Sequence, residues 1–121
     1  MTKTSWVYEL FQSIDKQDID AFLTFLADDV FFRFGNAEPV HGKNNVGNIV
    51  KGFFESIKAI QHDISETWSL DESIICHGFV TYTRHDNSTL TVPFANIFKL
   101  DGQAITEYLI YADLSQLYNA S

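Results

Sequence analysis

The chain has 121 residues, enough for one domain with a real core and too few for two. Its 16 acidic residues against 8 basic ones give a net charge of -8, which excludes the basic footprint that nucleic acid requires and disfavours an anionic membrane surface. A lone cysteine, Cys76, excludes an internal disulfide and a cysteine-rich metal site.

Val7, Leu10, Phe11 and Ile14 recur at helical spacing and predict an amphipathic helix over residues 5–16, with Ser5 as its N-cap. Ile19, Phe22, Leu23 and Leu26 form a second apolar stripe capped by Asp18; this short helix is expected to end near Asp28-Asp29. The β-formers of residues 30–34 predict a strand, and residues 35–42, with Asn36, Pro39 and Gly42, predict a loop. A third helix is expected over residues 44–60, where Val46, Ile49, Val50, Phe53, Phe54, Ile57 and Ile60 hold one face.

The remainder reads as four strands, at residues 63–70, 74–84, 89–100 and 104–114. Asp71-Glu72-Ser73, Asp86-Asn87-Ser88 and Asp101-Gly102-Gln103 are the turns. Connections this short require antiparallel pairing. The fold class is therefore α+β, with helices packed on one face of a curved sheet. Aromatic residues make up 15% of the chain, including 11 Phe, which suits core filling and the wide walls of an apolar pocket alike. Cys76 lies in an apolar strand and reads as an inert buried thiol. No apolar run approaches the roughly 20 residues of a membrane span, and Met1-Thr-Lys-Thr-Ser-Trp6 is no apolar leader, so a cytoplasmic protein is expected.

Three local sequences, in this order, carry a resemblance. They are residues 14–29, Pro39-Val-His-Gly42 before the third helix, and the Asp101-Gly102 hairpin ending in Tyr111-Ala112-Asp113. Together they resemble the nuclear transport factor 2-like superfamily, which includes ketosteroid isomerase, limonene epoxide hydrolase and the SnoaL-like polyketide cyclases. The resemblance implies a single-domain, cone-shaped, cystatin-like α+β barrel: three N-terminal helices on a curved, mainly antiparallel sheet, with a pocket between them. It also implies a small apolar ligand and a homodimer formed through the convex face of the sheet.

It does not imply one chemistry. The base of the isomerase falls at Phe34, and its two proton donors fall at Leu10 and Asn96. A Phe takes no proton and a Leu gives none, so that mechanism is not expected; Phe34 remains as pocket wall. The hydrolase triad is matched only by Arg84-His85-Asp86 at a hairpin tip, and its partner carboxylate falls at Ile110. By resemblance to the cyclases, Asp113 is the acid–base candidate; the alternative is that it caps its strand or bonds the N-terminal helix. An Asp113 facing the cavity would have its pKa raised by desolvation. Tyr108 matches an aromatic of the hydrolase pocket and could donate to a ligand oxygen.

A hairpin turn at Asn87-Ser88 sets Phe79 opposite Asn96 and His77 opposite Phe98. Side chains alternate, so His77, Phe79, Thr81, Phe94, Asn96 and Phe98 would share one face. A His and an Asn among Phe side chains is how an apolar pocket orients a ligand. The expected site is therefore Asp113 and His77 as catalytic groups, with Asn96, Tyr108, Phe34, Phe94, Phe79 and Phe98 binding substrate. His41 reads as structural, and His62 and His85 as exposed. No His or carboxylate pair has metal-ligand spacing and there is no Gly-rich phosphate loop, so neither metal nor cofactor is expected.

Two functions remain open. One is an isomerase, cyclase or hydrolase acting on a hydrophobic, carbonyl-bearing substrate. The other is a non-catalytic ligand-binding or dimeric accessory protein. They differ in whether an ionisable side chain lies inside the cavity.

Overall fold

Residues 3–118 are described by the structure, a computed structural model. The elements are α1 (Lys3–Asp15), α2 (Ile19–Leu23), β1 (Leu26–Phe34), β2 (Val40–His41), α3 (Lys43–Glu55), β3 (Ala59–Leu70), β4 (Ser73–Thr83), β5 (Thr89–Asp101) and β6 (Ala104–Ala112). The strands form one six-stranded sheet in the order β2-β1-β6-β5-β4-β3, antiparallel except where β1 runs parallel to β6. The three helices pack on its concave face, so the α+β cone inferred from the sequence is the observed fold.

Helix α1 buries Trp6, Val7, Leu10, Phe11 and Ile14, one stripe at three-four spacing, and each side chain contributes about 1.5–3 kcal/mol on burial. Ser5 lies inside this helix rather than capping it. Asp18 caps α2 by accepting from the Ala21 N–H at 3.1 Å. Val46, Val50 and Phe54 bury the matching face of α3.

Several boundaries differ from expectation: Val40–His41, inside the expected loop, form β2, and the last strand ends at Ala112. Leu26 belongs to β1, not to the α2 stripe. The third helix stops at Glu55, and β3 begins at Ala59, so Ile60 is a strand residue. Apolar residues at three-four spacing fit the helix as far as Phe54; beyond it, Ile60 and Ile64 continue the same buried surface with a strand's two-residue step.

Bulges bend the sheet. The register of β3 against β4 shifts between Ile64 and Glu66. Gly78 of β4 makes room for that bulge, because a Cβ there would lie 2.0 Å from the Asp63 carbonyl oxygen. Gly102 supplies the positive φ of the last hairpin, +63°.

The β4–β5 turn decides which residues face inward. Arg84 N–H donates to the Ser88 carbonyl at 2.8 Å, and Asp86 Oδ1 accepts from the Ser88 N–H at 2.9 Å. Thr83 pairs with Thr89, and Asn87 takes a φ of 73°. The turn is thus centred on Asp86, not between Asn87 and Ser88. Cys76 pairs with Asn96 and Gly78 with Phe94, and the parity of β4 is reversed relative to the expected pairing. Ile74, Cys76, Val80 and Tyr82 face the core; His77 and Phe79 face outward.

Candidate functional site

Between the concave sheet and the helices lies a cavity of about 50 Å³. Its walls are almost entirely apolar, with Phe22, Phe32, Phe53 and Phe54 from the N-terminal half and Val80, Phe94 and Ile110 from the sheet. Asn96, His62, Tyr108 and Tyr82 also line it.

Asn96 follows Phe94 by one strand repeat and shares its inward face. Only 2% of it is exposed, and its Oδ1 has no hydrogen-bond partner in the protein. An orphaned buried acceptor costs about 1–3 kcal/mol, so its presence calls for a reason.

His62, expected from the sequence to be exposed, is corrected to the cavity wall. Its side chain is 9% exposed. Nδ1 lies 2.6 Å from Asp15 Oδ1, and Asp15 Oδ2 accepts the His62 backbone N–H at 3.0 Å. One carboxylate at the end of α1 therefore grips both ring and backbone of β3. The ring is further fixed by Phe94 (centroids 5.1 Å apart, 86° between planes) and Phe11 (4.6 Å). A carboxylate accepts, so Nδ1 carries the hydrogen, and the tautomer this selects has its lone pair on Nε2. Asp15 also faces a solvent groove between α1 and β3, which His62 shares.

Desolvation by burial drives the Tyr108 phenol well above its ordinary pKa, so it stays protonated and able to donate. Burial also raises Tyr82, and pushes the Cys76 thiol up to about 12.

The expected site residues divide. Asn96, Tyr108, Phe34 and Phe94 line the cavity. Phe98 is buried but lies behind the wall, packed on Trp6, Phe11 and Tyr108. Phe79 is corrected to the outer face, where it is 51% exposed. His77 is corrected likewise: it stacks on Trp68 at 5.5 Å with planes 9° apart, and its Nε2 lies 3.6 Å from Glu66 Oε1. Both corrections follow from the recentred β4–β5 turn.

Asp113 lies past the end of β6, fully exposed, with Oδ1 accepting the Ser115 N–H at 2.9 Å. That bond holds its carboxyl below the usual pKa, the reverse of the rise expected from a buried position. Arg84 serves structure: Nε donates to the Leu117 carbonyl at 2.8 Å and Nη2 to that of Gln116 at 2.9 Å, pinning the C-terminal segment. Among the described residues, no group of three or more His, Cys, Asp or Glu is placed to hold a metal ion, and no helix is long and apolar enough to cross a membrane.

Outside the cavity, between the end of β1, α3 and the segment after β6, is an open hollow of about 690 Å³. Phe34 and Phe53 line both spaces, and Asp113 lines the outer one.

Residues 7–108 match the family model of the SnoaL-like domain. No curated protein matches the sequence. A nuclear transport factor 2-like protein of unknown function from Burkholderia pseudomallei K96243 has a TM-score of 0.86 at 16% identity, covering 98% of this chain and 97% of that one. A candidate polyketide cyclase from Xanthomonas campestris pv. campestris has a TM-score of 0.85 at 20% identity, covering 96% and 93%. TerC, co-crystallised with polyporic acid, has a TM-score of 0.81 at 12% identity, covering 96% and 95%. These likenesses speak for the fold.

Proposed function

We propose, from the premise that this chain belongs to the SnoaL-like domain family, that its cavity binds a small, largely apolar molecule with a carbonyl or hydroxyl group and moves a proton on it. One observation carries this reading: a histidine oriented by a carboxylate and Asn96, whose buried Oδ1 has no partner in the protein, line the same apolar cavity. Apolar walls strengthen every polar contact made there.

His62 Nε2 takes a proton from the carbon beside a carbonyl; the C–H electron pair becomes the carbon–carbon double bond of the enolate, and the carbonyl π pair moves onto the oxygen. Asp15 stabilises the imidazolium that forms. The Tyr108 phenol donates to the developing oxygen anion. Asn96 Oδ1, an acceptor, is matched by a ligand O–H such as an enol. The imidazolium then returns its proton at another position. A cavity of about 50 Å³ leaves little room for water beside a substrate, which favours isomerisation or cyclisation over hydrolysis.

The test is proton exchange. Incubated in D2O with acetone and cyclopentanone, the protein should accelerate deuterium incorporation beside the carbonyl, and His62→Gln should return the rate to background. Exchange unaffected by that substitution would remove His62 as the base. No exchange with any ketone would favour the alternative, a non-catalytic binder.

We also infer pairing of two copies through the outer sheet face, where Trp68 (45% exposed) and Phe79 (51%) lie open among apolar neighbours. His77 belongs to this face. Light scattering should give a dimer mass that Phe79→Glu reduces to a monomer; an unchanged mass would contradict the inference.

A further inference from the structure

Among the described residues, seven large hydrophobic side chains are exposed, and four of them, Trp68, Leu70, Phe79 and Tyr111, stand on the outer face of the sheet. Apolar surface concentrated in this way marks an interaction site. Strand register lays the face out in rungs. One rung runs Trp68, Ile75, Ile97, Leu109, Arg33 across β3, β4, β5, β6 and β1. The next runs Glu66, His77, Ala95, Tyr111.

Charge on these rungs is segregated by strand. Glu66, 63% exposed, stands on β3 at one margin, with Asp63 farther along the same strand, opposite Phe79. Arg33 stands on β1 toward the other margin; its guanidinium donates to Tyr111 Oη at 3.0 Å and lies 5.8 Å from the centroid of that ring. The middle strand, β5, offers Pro93, Ala95 and Ile97, which carry no charge.

Stacked sheets lie about 10 Å apart, with their strands aligned to within about 30°. A second copy can meet this face in two aligned ways. A two-fold axis across the strands sets β3 on β3 and opposes the two acidic margins. A two-fold axis along β5 sets β3 on the partner's β1. Ile75 then meets the partner's Leu109, Ile97 meets its own equivalent, and Arg33 reaches the margin that carries Trp68 and Glu66. Like charges disfavour the first alignment and opposite charges favour the second.

We propose that a second copy of this chain packs on the outer face about a two-fold axis along β5, with Arg33 of each copy clasping Trp68 and Glu66 of the other. This deepens the pairing inferred above and rests on it. The contact is isologous, so each dimer holds two clasps. Arg33 brings a charge to Glu66 and a planar cation to the Trp68 ring.

The test exchanges the charges and reads mass by analytical ultracentrifugation. Arg33→Glu and Glu66→Arg should each weaken self-association at least about tenfold, because each opposes like charges at both clasps. Mixed in equal amounts, the two variants should pair with each other, since one carries only carboxylates at the clasps and the other only guanidinium groups. The chain with both substitutions should regain its homodimer. In the wild type, isotope-filtered NOEs between labelled and unlabelled copies should join Ile75 of one to Leu109 of the other, which keeps the alignment testable should a variant fail to fold.

A wild-type dimer that neither substitution weakens, variants that stay monomeric when mixed, or filtered NOEs joining β4 to β4 would each overturn this alignment and leave the pairing standing. A wild-type chain that stays monomeric removes the pairing and the alignment with it.

Discussion

Replacing Asn96 with leucine should stabilise the protein while abolishing its ligand binding. The side chain is 2% exposed, and its Oδ1 has no partner in the protein. An unsatisfied buried acceptor costs about 1–3 kcal/mol, and leucine, with the same branched four-atom skeleton, removes that cost and adds apolar contact with the Phe94 side of the wall. At about 2.1 cal/mol/K per residue, the unfolding entropy of a chain this long is about 0.25 kcal/mol/K, so a gain of 1–3 kcal/mol raises Tm by roughly 4–12 °C. Calorimetry reads the stability, and deuterium incorporation into acetone and cyclopentanone reads the function. A residue kept for a ligand trades stability for activity in this way. A fall in Tm on Asn96→Leu would mean that the amide holds the sheet together, and the argument for a ligand at this position would fail.

Three further outcomes follow from the geometry. Gly78→Ala places a Cβ 2.0 Å from the Asp63 oxygen and 2.9 Å from the Ser65 nitrogen, both backbone atoms, and should cost at least about 2 kcal/mol in a denaturant titration by removing the β3 bulge. Arg84→Ala leaves the Leu117 and Gln116 carbonyls without their donor, and should cost about 1–2 kcal/mol and open the C-terminal segment to limited proteolysis, with the cavity's ligand response retained. The Cys76 thiol rises from 9.0 to about 12 on folding, so the native state holds its proton more tightly than the unfolded chain does. Its contribution is complete below pH 9 and fades as the pH climbs toward 12, at about 1.4 kcal/mol per pH unit, a slope that Cys76→Ala should reduce. Native Cys76 should also resist iodoacetamide at pH 8 and react promptly once unfolded.

The fold was legible where period and punctuation agree. The α1 stripe of Val7, Leu10, Phe11 and Ile14 and the Asp101-Gly102 turn were readable because helix spacing and a positive-φ glycine each have one structural meaning. Asn96, Phe94, Phe34 and Tyr108 line the cavity. His77 and Phe79 were misplaced because sheet facing depends on parity, and the Asp86 side chain, by capping Ser88, centres the turn on a residue rather than between two. His62 was misread as exposed for a related reason: extending the third helix through Ile60 left it in a connection. Starting β3 at Ala59 puts Ile60, His62 and Ile64 on one inward face, and that two-residue step was the available signal. Asp15, at the end of α1, offered no local cue, since its partner is 47 positions away.

The account rests on the hollow behind Asn96 being where a ligand meets His62. Its most direct test is a structure of the protein bound to acetone. The account places a methyl carbon against His62 Nε2 and the ketone oxygen toward Tyr108. A ketone seated on the outer sheet face beside Trp68, or held in the outer hollow, would contradict it.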